Sequence, residues 1–186
     1  MHSIITSVIM LAAFGVATAI QLPGLNGNFI ERQVQHPNGS TVAIYLQDSY
    51  KPSQRSVGKR FYETYHNDTS KYEICAETNF VDTSTLDSAL TSDCSIIMSE
   101  LKANPGFFET GDYSGDECNY LVVCETCAFG VHRTDGLSSP VDIGSKDVVD
   151  NLNSAIIRFP IDGHVGATGN FTCNEAPINW EILRAA

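Results

Sequence analysis

The sequence predicts an α+β fold, an antiparallel sheet with two helices packed on one face and stapled by disulfides. Three observations predict it. Two stretches carry a helical apolar stripe, β-prone segments flank and separate them, and all six cysteines fall between residues 75 and 173, behind an N-terminal export signal.

Residues 1–19 have the pattern of a signal peptide. His2 and Ser3 give a short polar start, residues 4–16 an apolar run, and Ala17-Thr18-Ala19 the small-x-small pattern that a signal peptidase cuts after. The run is shorter than the roughly 20 residues a bilayer span needs. No later stretch approaches that length, so a secreted, extracellular protein without a membrane span is expected.

Residues 20–60 form a leader without cysteine, rich in Pro, Gly, Asn, Ser and Gln. It ends in Lys59-Arg60, a dibasic pair that suits a processing protease, so the leader is a candidate propeptide. Residues 41–46 alternate weakly and allow a strand inside it. The charge changes at the same boundary. Residues 20–60 carry 5 basic against 2 acidic side chains, and residues 61–186 carry 6 against 20, a net of −14. Such an acidic domain is a poor partner for nucleic acid or anionic lipid.

The first helix is expected from Ser88. Leu90, Cys94, Ile97, Met98 and Leu101 recur on one face of a 3.6-residue period, Ser88 can cap the start, and Asn104-Pro105-Gly106 stops the end. A second helix follows Gly144, with Ser145 as cap and Asp147 in the first turn, where a carboxylate suits the positive end of the dipole. Val148, Leu152, Ala155, Ile156 and Phe159 form its stripe, and Pro160 ends it. Residues 120–123 and 128–131 are β-prone on either side of Glu125-Thr126, as one bent strand or two short ones. Residues 164–173, broken by Gly166 and Gly169, suggest a bulged or twisted strand, residues 178–183 a closing one, and residues 72–75 a short early one.

In an oxidising compartment an even set of cysteines predicts a disulfide framework. Cys124-x-x-Cys127 lacks the second C-x-x-C or paired histidines of a tetrahedral zinc site. Six cysteines allow 15 connectivities. Cys94, on the inner helix face, needs a partner on a strand beneath it, for which Cys127 is the central candidate. Cys75 and Cys173 would then tie the first strand to a late one. Cys118 and Cys124 remain, and they pair only if the chain bends, because six steps along a strand span about 20 Å.

Residues 75–80, residues 84–94 ending in Thr91-Ser92-Asp93-Cys94, Thr126-Cys127-Ala128-Phe129-Gly130-Val131, and residues 144–159 with Asp147-Val148-Val149-Asp150 follow one another in a recognisable order. His164-Val165-Gly166-Ala167-Thr168-Gly169 leading to Cys173, and Asn179-Trp180-Glu181-Ile182, complete the series. Together, over residues 72–184, they resemble the necrosis-inducing factor domain of secreted fungal effectors, homologues of a leaf-mould extracellular virulence protein. The family is similar to a fungal killer toxin, so the resemblance implies a killer-toxin-like fold of an antiparallel sheet covered on one side by two helices. The family's shared cysteines map onto Cys75, Cys94, Cys127 and Cys173. Cys118 and Cys124 depart from the pattern, as does Glu125, since the family tends to have an aromatic residue and glycine before the shared Cys-Ala-Phe-Gly.

The resemblance implies a virulence factor that binds a host target, expected to be a protein, and provokes necrosis or modulates defence without catalysis. A killer-toxin-like protein against competing fungi is one alternative, although such toxins use basic surfaces and this domain is acidic. A cryptic extracellular hydrolase is the other. His66, His132 and His164 are scattered, no G-x-S-x-G occurs, and Asp112, Asp116 and Glu117 cluster in a Gly-containing loop that suits solvation or weak calcium binding. Gly163-x-x-Gly166-x-x-Gly169 lacks the following Lys-Ser/Thr of a phosphate loop. No cofactor is expected, and the protein is expected to be a monomer. Asn38, Asn67 and Asn170 open N-glycosylation sequons, with Asn67 in an exposed polar stretch and Asn170 partly occluded beside a late strand.

Overall fold

The computed structural model describes residues 19–20, 28–35, 39–49, 65–76, 78–110, 118–137 and 139–185. In chain order the strands before the first helix are β1 (Ala19–Ile20), β2 (Asn28–Gln35), β3 (Thr41–Ser49), β4 (Tyr65–His66), β5 (Val81–Asp82) and β6 (Ala89–Leu90). Helix α1 (Thr91–Ala103) leads to β7 (Phe107–Thr110), β8 (Asn119–Cys124), β9 (Cys127–Arg133) and β10 (Val141–Gly144). Helix α2 (Ser145–Arg158) is followed by β11 (His164–Val165), β12 (Ala167–Cys173) and β13 (Ala176–Arg184).

The main sheet has the order β1-β2-β3-β8-β9-β13-β12-β5, antiparallel throughout. Strand alternation sorts its side chains onto two faces. Leu46, Val122, Phe129, Ile182 and Ala167 lie opposite one another across five strands and belong to the core shared with both helices. Tyr45, Val123, Ala128 and Leu183 form the neighbouring row and pack with Phe29 in a second, smaller cluster. The α+β class with two helices against an antiparallel sheet is therefore the architecture of the protein.

Cys94, Ile97 and Leu101 of α1, and Val148, Leu152 and Ala155 of α2, are fully buried, so both apolar stripes face the core. The helix starts differ from the sequence expectation. Ser88 does not cap α1, because Ala89 and Leu90 are strand residues paired with Val165 and His164. The Ser88 hydroxyl instead accepts the Thr85 N–H at 2.9 Å. Long-range pairing outweighs a local cap here, and the Thr91 N–H finds its acceptor on Gly163, 2.8 Å away. Ser145 is likewise the first residue of α2 and not its cap. Its Oγ accepts the Gly106 N–H at 3.0 Å, while Asp147 Oδ2 accepts the Gly144 N–H at 3.1 Å.

Residues 72–75 make no strand. A 3-10 turn at Thr69–Lys71, with Asp68 accepting from the Ser70 N–H, precedes them, and Cys75 forms only an isolated bridge to Cys173. The two β-prone segments around Glu125-Thr126 are separate strands of a tight hairpin, with Glu125 at φ 47°. Gly166 splits the 164–173 segment into β11 and β12. Gly169 sits directly under the Trp180 ring and the Asn79 carbonyl, leaving no room for a side chain.

The described part of the leader is built into the main sheet. β2 and β3 form a hairpin, and β3 pairs with β8 through Ile44, Tyr45 and Leu46. Phe29, Ile44, Leu46 and Gln47 are buried, and the Gln47 side chain donates to Asn119 Oδ1 across the strand boundary. Arg32 reaches over to Glu100 on α1 at 3.3 Å and lies above the Tyr65 ring. Lys59 and Arg60 lie outside the described residues.

Candidate functional site

Two disulfides hold the framework. Cys94 on the inner face of α1 bonds Cys127 at the start of β9, and Cys75 bonds Cys173 at the end of β12. They close loops with sequence separations of 33 and 98, each worth about 4–5 kcal/mol by the chain-entropy model. The Cys118–Cys124 pairing is not formed, and both cysteines are free. The physical reason is the extended course of β8, which carries them apart. Cys118 sits half-buried against Gly130 and Glu181, and Cys124 is fully buried. Burial, reinforced by Glu181, pushes the Cys118 thiol far up, and burial with Asp93 and Glu125 nearby pushes Cys124 up to about 12. Both are protonated at neutral pH and are weak nucleophiles.

Cys75, bonded to Cys173, lines one side of a cleft of about 240 Å³. Glu73 and Thr78 border it from the loop before β5, Asp147, Asp150 and Asn151 from α2, and Phe171 from β12. Long-range bonds position each side. Asp147 Oδ2 accepts the N–H groups of Ile74, Cys75 and Gly144 at 3.1, 3.2 and 3.1 Å, which fastens the loop to the start of α2. Burial pushes the Asp147 carboxyl above its ordinary range, and those three donors offset the rise only in part. Lys146 Nζ bridges Glu73 at 2.8 Å and Asp150 at 2.7 Å, and these bonds raise its pKa. Trp180 donates its indole N–H to Thr78 Oγ1 at 2.7 Å, holding the far end of the loop.

Asn151 is the unusual member. It is 2% exposed, yet its Nδ2 has no hydrogen-bond partner among the described residues. Sequence reasoning missed this residue. The available signal was an amide four residues after Asp147, on the border of an otherwise apolar stripe; Glu73 and Phe171, distant in sequence, gave none.

The other sequence candidates are not brought together. His66 stacks on Phe107 and faces Glu109 at 3.3 Å, His132 contacts Asn179, and His164 contacts the Asp162 carbonyl. Among the described residues no group of three or more His, Cys, Asp or Glu side chains could hold a metal ion, and no helix is long and apolar enough to cross a membrane. Asp112, Asp116, Glu117 and Asn38 lie outside the described residues. Asn67 is exposed beside the 3-10 turn. Asn170 is also exposed, so the expected occlusion is absent: the alternation of β12 turns it outward while its neighbour Phe171 turns in. Ala19 pairs with Ile30 through β1.

Residues 74–173, the stretch that contains both disulfides, match the family model described as "Pathogen effector; putative necrosis-inducing factor". A segment of 102 residues is 31% identical to a Penicillium expansum protein named "Probable chitinase LysM18". That alignment covers 54% of this chain and 7% of the much longer relative.

Proposed function

Because the chain belongs to the pathogen-effector family of necrosis-inducing factors, we propose that it is a secreted fungal effector that acts on a plant host by binding and not by catalysis. The observation that carries this reading is the family match across the whole disulfide-stapled core. The framework itself supports export, since such bonds persist in oxidising compartments. On this reading residues 1–19 are removed after Ala19, Lys59-Arg60 is a processing site, and Asn67 and Asn170 carry glycans. The target is a host protein, met by a monomeric effector.

The chitinase name of the relative favours a second reading, in which the domain hydrolyses a polysaccharide itself. The cleft carboxylates support binding over hydrolysis. A retaining or inverting glycosidase needs one carboxylic acid and one available carboxylate at a set spacing. Asp147 is saturated on Oδ2 by backbone donors, and Asp150 is held by Lys146. A killer-toxin-like attack on competing fungi fits less well with the acidic domain.

Infiltration of the purified secreted protein into leaves tests the reading. Necrosis or altered defence without turnover of any substrate is expected. No response in compatible plants, with growth inhibition of competing fungi instead, would support the toxin. Release of sugars or peptides that stops on replacing Asp116, Glu117 or Asp150 would establish a hydrolase.

A further inference from the structure

Resting on the effector reading, we propose that the surface around Arg158, at the end of α2, docks an extended segment of the protein target and pairs one of its carboxylates. Arg158 is exposed, and its guanidinium carbon lies 4.6 Å from the Phe80 ring centroid and 4.9 Å from that of Phe159. Among the described residues those two ring faces are the partners of the guanidinium, and no carboxylate pairs with it. By contrast, Lys71, Arg133 and Lys146 are each tied to a carboxylate. Phe80 meets Trp180 edge-on at 5.1 Å, which anchors the stack to the core. A stacked guanidinium keeps its N–H edge open for two parallel bonds to a carboxylate, and a side chain already held loses less freedom on binding. A cation suits the C-terminal end of a helix dipole, which accounts for the charge here but not for the apolar side chains beside it.

Those side chains are the second observation. Ile157, next to Arg158, is 71% exposed; Val81, next to Phe80, is 58% exposed; Ile161, two residues past Phe159, is 41% exposed. They are three of the five large apolar side chains exposed among the described residues, so exposed apolar surface gathers at this end of the molecule. An arginine among aromatic and aliphatic neighbours has the composition of an interface hot spot. Charge narrows the partner. The acidic region repels nucleic acid and anionic lipid as a whole, whereas one carboxylate flanked by apolar groups complements one cation in an apolar setting. The backbone narrows it further, because β5 is the last strand of the main sheet and no strand lies on its outer side among the described residues. An extended chain finds main-chain donors and acceptors at such an edge. A protein segment with Asp or Glu between apolar residues supplies the carboxylate, the apolar contact and the backbone together.

The test pans a random-peptide phage library on the full secreted protein and titrates the enriched peptides by fluorescence anisotropy. Enriched peptides are expected to carry Asp or Glu between apolar residues and to lose affinity roughly tenfold or more with Arg158→Glu. Ile157→Asp, at a highly exposed position, is the second variant and weakens the same binding while leaving the fold in place. Lys102→Glu is the control and changes nothing. Lys102 is an exposed cation at the far end of α1, which starts beside Gly163 and stops near Gly106 and the start of α2. Thermal melts establish that each variant is folded. No enriched peptide, enriched peptides without an acid, or equal binding to wild type, Arg158→Glu and Ile157→Asp would each overturn the proposal, as would binding to phosphatidylserine vesicles in place of peptides. A leaf response that persists unchanged in both folded variants would remove this surface and leave the effector reading standing. Peptide binding lost in both variants, with no leaf response from the wild type, would support the surface and remove the effector reading.

Discussion

Cys124 and Cys127 face each other across the β8–β9 hairpin, yet the Cys127 sulfur is bonded to Cys94 on the helix beneath and Cys124 remains a thiol. Opposition across a hairpin is thus not what selects the bond. Cys94 lies on the inner face of α1, where its Cα is 5.2 Å from that of Cys127, inside the range a disulfide accepts.

This arrangement predicts the thiol count. Native protein treated with an alkylating reagent at neutral pH should label slowly or not at all, because both free thiols are shielded and protonated. In denaturant, two equivalents should react, and peptide mapping should place both labels at Cys118 and Cys124. A denatured protein with no reactive thiol would show a third disulfide and refute the assignment.

The leader strands carry a second prediction. Ile44 and Leu46 are buried against β8, so Ile44→Ala should cost about 2–5 kcal/mol in denaturant unfolding. A chain beginning at residue 61 should aggregate or melt early, since β8 would become a long apolar edge. If the full chain is cut after Arg60, the two pieces should elute together under native conditions and separate only in denaturant. A fully stable 61–186 fragment would reduce the leader to a dispensable appendage.

Acid should weaken the Arg133–Asp135 pair. Arg133 is buried on β9, and its guanidinium, donating to Asp135 at 2.9 Å, holds that carboxyl below its usual range, with the Leu137 N–H adding to the effect. The unfolded chain binds this proton more tightly. The contribution is therefore complete above the unfolded value of about 3.9 and fades as pH falls through the depressed folded value. Melting temperatures of the wild type and Asp135→Asn should differ at pH 6 and converge in acid. A constant gap would assign the difference to packing.

The sequence by itself determined the two helical stripes, the α+β class, the points where both helices stop and, through the family resemblance, the four bonded cysteines. The stripes, the class and the helix stops depend on periodicity or on short spacing, which a linear reading records, and the cysteines on the resemblance to the effector family. Tertiary structure decided the rest. Ser88 loses its expected capping role because β6 pairs with β11, more than 70 residues away. The leader joins the sheet because β8 offers it an unpaired edge and an apolar row. The cleft exists only where Asp147 gathers the backbone of Ile74 and Cys75 beside the disulfide. Each depends on partners remote in the chain, and the energy of such a contact is set by which surfaces meet, a property no local pattern encodes.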